Sequence, residues 1–148
     1  MANGKVEAIF IGAIRKQPMS AVTEAQAIAG AGLEGDRYAA KKKPDTQITL
    51  TEAEALEAAA RDYKIEIAHH ETRRNLLTRG IALNHLVGRE FRVGSVRLRG
   101  MRLCEPCTHL EGLTGKEMIK ALRHRGGLRA EILEGGVIKV GDAITEEN

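Results

Sequence analysis

Sixteen glycines punctuate the 148 residues and cut the chain into short apolar runs. That spacing favours many turns and brief strands over long helices. Lys5 to Ile14 reads as a buried first strand, apolar on both faces. Ala25 to Ala29 and Gln47 to Leu50 read as further strands, separated by a glycine-rich loop over Gly30 to Arg37 and a basic loop from Lys41 to Pro44. Arg73 to Leu77 is strand-like, and Ala82 to Val87 reads as one helical turn. Glu90 to Val93 and Val96 to Leu103 should form a hairpin around Gly94-Ser95, with the apolar alternation slipping at Gly100 as it does at a bulge. Leu128 to Leu133 and Val137 to Val140 read as a second hairpin over Gly135-Gly136. Two capping boxes, Thr51-Glu-Ala-Glu54 and Thr114-Gly-Lys-Glu117, predict helices near 52–62 and up to about His124. The polar segment 142–148 is predicted to fray.

Many short strands with two or three short helices predict a mainly β, barrel-like or α+β fold rather than a doubly wound sheet. The chain reads as a single domain over 1–148, with its core between about 6 and 144. Only Phe10, Tyr38, Tyr63 and Phe91 are aromatic, so the core must be aliphatic. No segment approaches the roughly 18–20 apolar residues of a membrane span. The apolar run from Ala8 to Ile14 follows Glu7 and lacks a cleavage-site pattern, so no secretory signal is expected. Two cysteines give no disulfide framework, which makes a reducing cytoplasm the expected location.

The net charge is only +3, but it is uneven. Between Arg73 and Arg129 there are 13 Lys and Arg against 4 acids, a net of +9, while the rest of the chain carries 10 against 16, a net of −6. Most of those cations are Arg, whose planar fork matches phosphate and carboxylate oxygens. An anionic ligand is the expectation for the cluster as a whole. Nucleic acid would satisfy it through phosphate contacts, but Phe91 is the only aromatic in the basic stretch, which argues against base stacking.

Cys104-Glu-Pro-Cys107 ends a predicted strand and admits several readings. A zinc site would draw on Cys104, Cys107 and His109 but lacks a second paired motif. A thioredoxin-like pair would need a βαβ context and a regular helix, which Pro106 opposes. A single working thiolate at Cys107 would gain from the surrounding Arg residues, which lower a thiol pKa. The alternative is two inert, half-buried thiols. Gly30-x-Gly32-x-x-Gly35 matches a dinucleotide fingerprint on paper, but Asp36, Arg37 and then Pro44 follow it where a helix should.

Taken in order, several segments resemble the MOSC family, the domain also found at the C-terminus of molybdenum cofactor sulfurases. They are Gly35-Asp36-Arg37, Gln47-Ile-Thr-Leu-Thr51, Arg74-Asn75-Leu-Leu-Thr-Arg79-Gly80, Glu105-Pro-Cys107-x-x-Leu110-Glu111, Arg125-Gly-Gly-Leu128 and Glu134-Gly-Gly-x-Ile-x-x-Gly141-Asp142. The resemblance implies a β-rich barrel with Cys107 as the functional thiol and Cys104 as an extra. It implies that Cys107 either ligates the molybdenum of a molybdopterin cofactor or carries sulfur as a persulfide. Both roles need a soft thiolate. It gives the basic residues a partner, the phosphate of molybdopterin, with Arg73, Arg74, Asn75, Arg79 and Arg125 as the candidates to hold it and Asp36 as a helper that accepts a hydrogen bond or a proton. The chain departs from the family where Arg37 and Tyr38 follow Gly-Asp in place of a frequent His, and where Arg74 precedes the Asn in place of a frequent acid. The implied reaction is two-electron reduction of a small N-hydroxylated or N-oxide substrate, fed by a separate electron donor protein. The alternative is sulfur carriage from a separate sulfur donor. No pyridoxal phosphate is expected in this chain.

Overall fold

The computed structural model describes residues 3–41, 43–106 and 108–147, with side chains left out at 3 and 108–110. The order of elements is β1 (Asn3–Ile11), β2 (Ser20–Val22), β3 (Glu24–Ile28), β4 (Gly32–Leu33), β5 (Ile48–Glu52), α1 (Ala53–Tyr63), α2 (His69–Thr72), β6 (Leu76–Arg79), β7 (Glu90–Val93), β8 (Val96–Leu103), α3 (Thr108–Thr114), α4 (Met118–Leu122), β9 (Leu128–Glu134), β10 (Gly136–Lys139) and β11 (Ala143–Glu146). Seven strands close into a barrel in the order β11-β7-β8-β9-β5-β6-β1, because β11 pairs with both β7 and β1. Among the described strands only β5 and β6 pair in parallel, and α1 lies in the crossover between them. β2 adds to the far edge of β1, and β10, β3 and β4 form a small separate sheet. A β-rich barrel is therefore the fold, as predicted, with four short helices.

Alternation builds the barrel core. Phe91 and Val93, Val96 and Leu98, and Leu128, Ala130 and Ile132 all point inward, where they meet Val6, Ile9, Ile48, Leu50, Leu76 and Ile144. A second cluster lies under the helices: Ala55 and Ala59 of α1 pack with Ile67, Met118 and Leu122. Phe91 is the one aromatic in the barrel core, so that core is aliphatic otherwise.

The outer wall explains the charge pattern. Arg89 pairs with Glu146, Arg92 with Glu134 and Glu147, Arg97 with Glu90, Glu134 and Glu147, and Arg99 with Glu90 and Glu131. Arg102 pairs with Asp45. The partners come mostly from outside the Arg-rich stretch and are brought alongside by the antiparallel register of β9 and β11. Each exposed pair contributes about 0–1 kcal/mol.

Several local expectations need correction. Within the segment predicted to fray, Ala143–Glu146 is β11, fastened by buried Ile144 and by the ion pairs of Glu146 and Glu147, while Asn148 lies outside the described residues. β9 and β10 do not form a hairpin. β9 pairs with β8 and β5, whereas β10 crosses over to β3. Thr51 does not cap α1, since it belongs to β5, and Glu52 takes the cap position without a side-chain bond. Glu54 instead accepts from the Gly80 N–H at 2.8 Å. The second capping box is also absent: Glu117 caps α4 without a side-chain bond, and Thr114 ends the unforeseen helix α3. The first strand stops at Ile11, and Arg73 lies in a left-handed turn before β6 begins.

The β7–β8 hairpin and the bulge at Gly100 match expectation. A Cβ at Gly100 would collide with the Leu86 carbonyl. Gly100→Ala should therefore cost about 1–3 kcal/mol or more in urea unfolding. Gly112→Ala, in α3 with nothing near its Cβ, should be neutral or stabilising by up to about 1 kcal/mol. Equal midpoints for the two variants would contradict the packing described here.

Candidate functional site

The site grows from the turn that precedes β6. After α2, Arg73 adopts φ 62°, a left-handed conformation that costs a non-glycine residue about 1 kcal/mol or more. The turn splays the two arginines. Arg73 reaches the Gln17 carbonyl in the loop after β1, and Arg74 reaches the Gly126 and Cys104 carbonyls, each at 3.0 Å. A third bond ties Arg74 to the Thr72 carbonyl, also at 3.0 Å.

Asn75 is buried behind them. Its Oδ1 accepts from the Thr49 N–H at 3.0 Å and the Thr49 hydroxyl at 3.1 Å. Its Nδ2 donates to the Phe10 carbonyl at 3.1 Å and to Asp36 Oδ1 at 3.3 Å. Asp36, also buried, accepts from the Gly12 N–H at 2.9 Å and from the Tyr38 N–H at 3.4 Å. These contacts make Asp36 and Asn75 the frame of a cavity of about 160 Å³.

Arg37, Arg73, Arg74 and Arg129 line that cavity, against Asp36 and Glu105 as its acids. Arg37 donates to the Tyr38 hydroxyl at 2.6 Å and stacks over its ring. Burial, and then the nearby charge of Arg37, lower the pKa of Arg73 from its ordinary value. Arg129 projects from β9 beside Thr49 of β5, its register partner. Its Nη1 contacts the Asp45 carbonyl at 3.4 Å, and its Nε is buried with no hydrogen-bond partner among the described residues. Four guanidinium groups line this one small cavity, Arg73 and Arg74 with donors engaged by backbone carbonyls, and they give it a surplus of positive charge.

The structure sorts the residues singled out from sequence. Asp36, Arg73, Arg74 and Asn75 come together at the cavity. Arg79 does not join them. It lies four residues along β6 from Asn75, roughly 13 Å at about 3.3 Å per residue, and pairs with Glu7 and Glu57. Arg125 faces Glu52 at 3.7 Å and does not line the cavity. Cys104 is buried and lines the cavity. Cys107 and the His109 side chain lie outside the described residues. Among the described residues no group of three or more His, Cys, Asp or Glu is placed to hold a metal, and no helix is long and apolar enough to cross a membrane. Sequence reasoning did not place Arg37 or Arg129 at the site. Arg129 was visible only as one Arg among many, and its place follows from the β5–β9 register, which no local motif encodes.

Comparison with known proteins bears on the fold. The model of the MOSC domain matches residues 37–145, most of the chain. The chain belongs to the MOSC family. YuaD from Bacillus subtilis has the same fold, with a TM-score of 0.83 at 15% identity, covering 97% of this chain and 97% of that one. YiiM from Geobacillus stearothermophilus gives 0.76 at 15%, covering 98% of this chain and 75% of that one. YiiM from Escherichia coli gives 0.72 at 19%, covering 100% and 70%. No curated protein matches the sequence. At these identities the likeness concerns the fold alone, so the site of this MOSC chain rests on its own residues.

Burial pushes one histidine of α2 well below its usual pKa range. His69 of α2 stands edge-on to Phe10, with ring centres 4.5 Å apart. Burial is the main cause that lowers its pKa from 6.5 to about 4. The charge of His70 adds to the shift, and a backbone contact from Arg74 opposes it. The unfolded chain protonates His69 below about pH 6.5, and the folded chain only near 4, so stability should fall as pH drops through that window. Stability curves from pH 7 to 4 should show this slope, worth on the order of 3 kcal/mol, and His69→Phe should flatten it. An unchanged slope would mean that other groups set the acid sensitivity.

Proposed function

We propose that this MOSC protein binds a molybdenum–molybdopterin cofactor by the anionic end of the pterin in the arginine-lined cavity, with Cys107 as the molybdenum ligand. It would reduce small N-hydroxylated or N-oxide substrates with electrons from a separate donor protein. The observation that carries the reading is the gathering of Arg37, Arg73 and Arg129 at one small cavity whose acids are Asp36 and Glu105. Positive charge gathered at one cavity favours an anion, and phosphate oxygens accept from guanidinium forks. The cavity suits a phosphate-sized group in volume and charge.

In this reading Arg129, Arg73 and Arg37 hold the anion. Asp36 and Asn75 do not touch it. They fix Gly12 and Thr49, and so the shape of the wall. Arg79 and Arg125, engaged with glutamates elsewhere, take no part. The cofactor when bound supplies two-electron redox chemistry, and a thiolate suits its soft metal. Asp36 already accepts three hydrogen bonds, which favours an anchoring role over proton transfer.

The test is the molybdenum-to-protein ratio by elemental mass spectrometry, after purification from a host that makes the cofactor. Near-stoichiometric molybdenum is expected in the parent and little in Cys107→Ser. A hydrogen bond to a charged group is worth about 1.5–3 kcal/mol, so Arg129→Met should weaken retention roughly ten- to a hundredfold while the protein stays folded. A parent without molybdenum would overturn the reading. If such a parent then gained sulfur on Cys107 from a cysteine desulfurase, seen by intact mass, it would be a sulfur carrier.

A further inference from the structure

We infer that Arg74 is a positioning residue that orients the segment leading into Cys107, and that it acts through the geometry of its guanidinium fork rather than through its charge. The inference rests on Cys107 being the working thiol, but not on what that thiol holds.

Arg74 gathers three carbonyls from three parts of the chain. Nη1 bonds Thr72 in its own turn, Nε bonds Gly126 before β9, and Nη2 bonds Cys104 after β8. The segment 104–106 is fastened at each residue. The Cys104 N–H donates to the Gly127 carbonyl at 2.7 Å while its carbonyl accepts from Arg74. The Glu105 carboxylate accepts from the His124 N–H at 2.8 Å and lies 2.8 Å from His124 Nδ1. Pro106 has its φ restricted by its ring and packs over Gly126. A Cβ at Gly126 would strike both the Cys104 carbonyl and Pro106.

Among these fastenings only Arg74 reaches across from the β6 side. The dipeptide Arg74-Asn75 thereby sets both walls of the cavity. Asn75 fixes the wall made by Gly12 and Asp36, and Arg74 fixes the wall made by Cys104 and Glu105. The two carbonyls of Gly126 and Cys104 are met by two nitrogens of one rigid plane. Lysine offers a single ammonium on a flexible stem and cannot hold both in that way. This chain has Arg at a position where the resemblance noted above leads one to expect an acid, and a carboxylate could not donate to either carbonyl.

The experiment uses the full chain in a Cys104→Ala background, so that Cys107 is the sole thiol, with Arg74→Lys and Arg74→Met added separately. Three readouts are compared: peptide-resolved amide exchange over 104–107, the pH profile of Cys107 alkylation by iodoacetamide, and thermal unfolding. Loss of hydrogen bonds to a charged donor should speed exchange at 104–107 by about tenfold or more. The barrel strands should be unaffected, and the alkylation profile should move in both variants, with lysine failing to restore it. Unchanged local exchange would overturn the inference. So would exchange that rises uniformly with a fall in Tm, which is the signature of a purely structural residue. Restoration of the parent profile by lysine would overturn it too, since charge alone would then suffice. If the working-thiol reading itself is wrong, Cys107 in the parent will alkylate with the pH profile of an ordinary thiol, and that result is distinct from the others.

Discussion

The side-chain amide of Asn75 is the joint on which the site depends. An amide has two donors and two acceptor positions. Here all four are used, by the Thr49 N–H, the Thr49 hydroxyl, the Phe10 carbonyl and Asp36. A buried amide with every bond made is rigid, because each alternative orientation leaves a polar atom unpaired in a medium that punishes it. β1, β5 and the start of β6 are thus held at one level of the barrel, and the Gly12–Asp36 contact is carried with them. The cavity inherits its shape from this joint rather than from its own exposed residues.

Electrostatics divides the arginines into two populations. Those on β7 and β8 are matched with glutamates across the sheet, and most of their charge is answered on the outer wall. Those at the cavity face one another, Asp36 and backbone carbonyls. The same residue type therefore serves cohesion in one place and leaves a surplus of positive charge in the other. The difference lies in which strands neighbour each arginine. Arg92 sits opposite Thr145 in register, within reach of Glu147, while Arg129 sits opposite Thr49 at the cavity.

Much of the barrel could be read along the chain, because inward and outward residues alternate on β7, β8 and β9. The bulge at Gly100 was readable too, as a slip in that alternation. The closing strand was not. Ala-Ile-Thr-Glu shows one buried residue among polar neighbours, and only its pairing with β1 and β7 makes it a strand. Both capping boxes were plausible locally and failed: Glu54 went to Gly80, Thr51 was drawn into β5, and Thr114 accepts from the Lys116 N–H at the end of α3. At the site, Asp36, Arg73, Arg74 and Asn75 could be found because they sit in short ordered motifs. Arg129 could not, since its relevance comes from strand register, and a window of sequence carries no register.

Barrel closure joins elements far apart in the chain: Asn3 pairs with Thr145, and Ile144 with Val93. During synthesis β1 and β7 leave the ribosome well before β11 exists. Their open edges then await a partner more than fifty residues away in the case of β7, and farther for β1. Contacts of such long range form slowly, and unpaired edges are where nascent chains associate wrongly. The glutamates that follow Ile144, drawn to waiting arginines on β7 and β8, give the last strand an electrostatic guide to its slot. The ion pairs on the outer wall thus set complementary charge along the β7 edge that the closing strand has to meet.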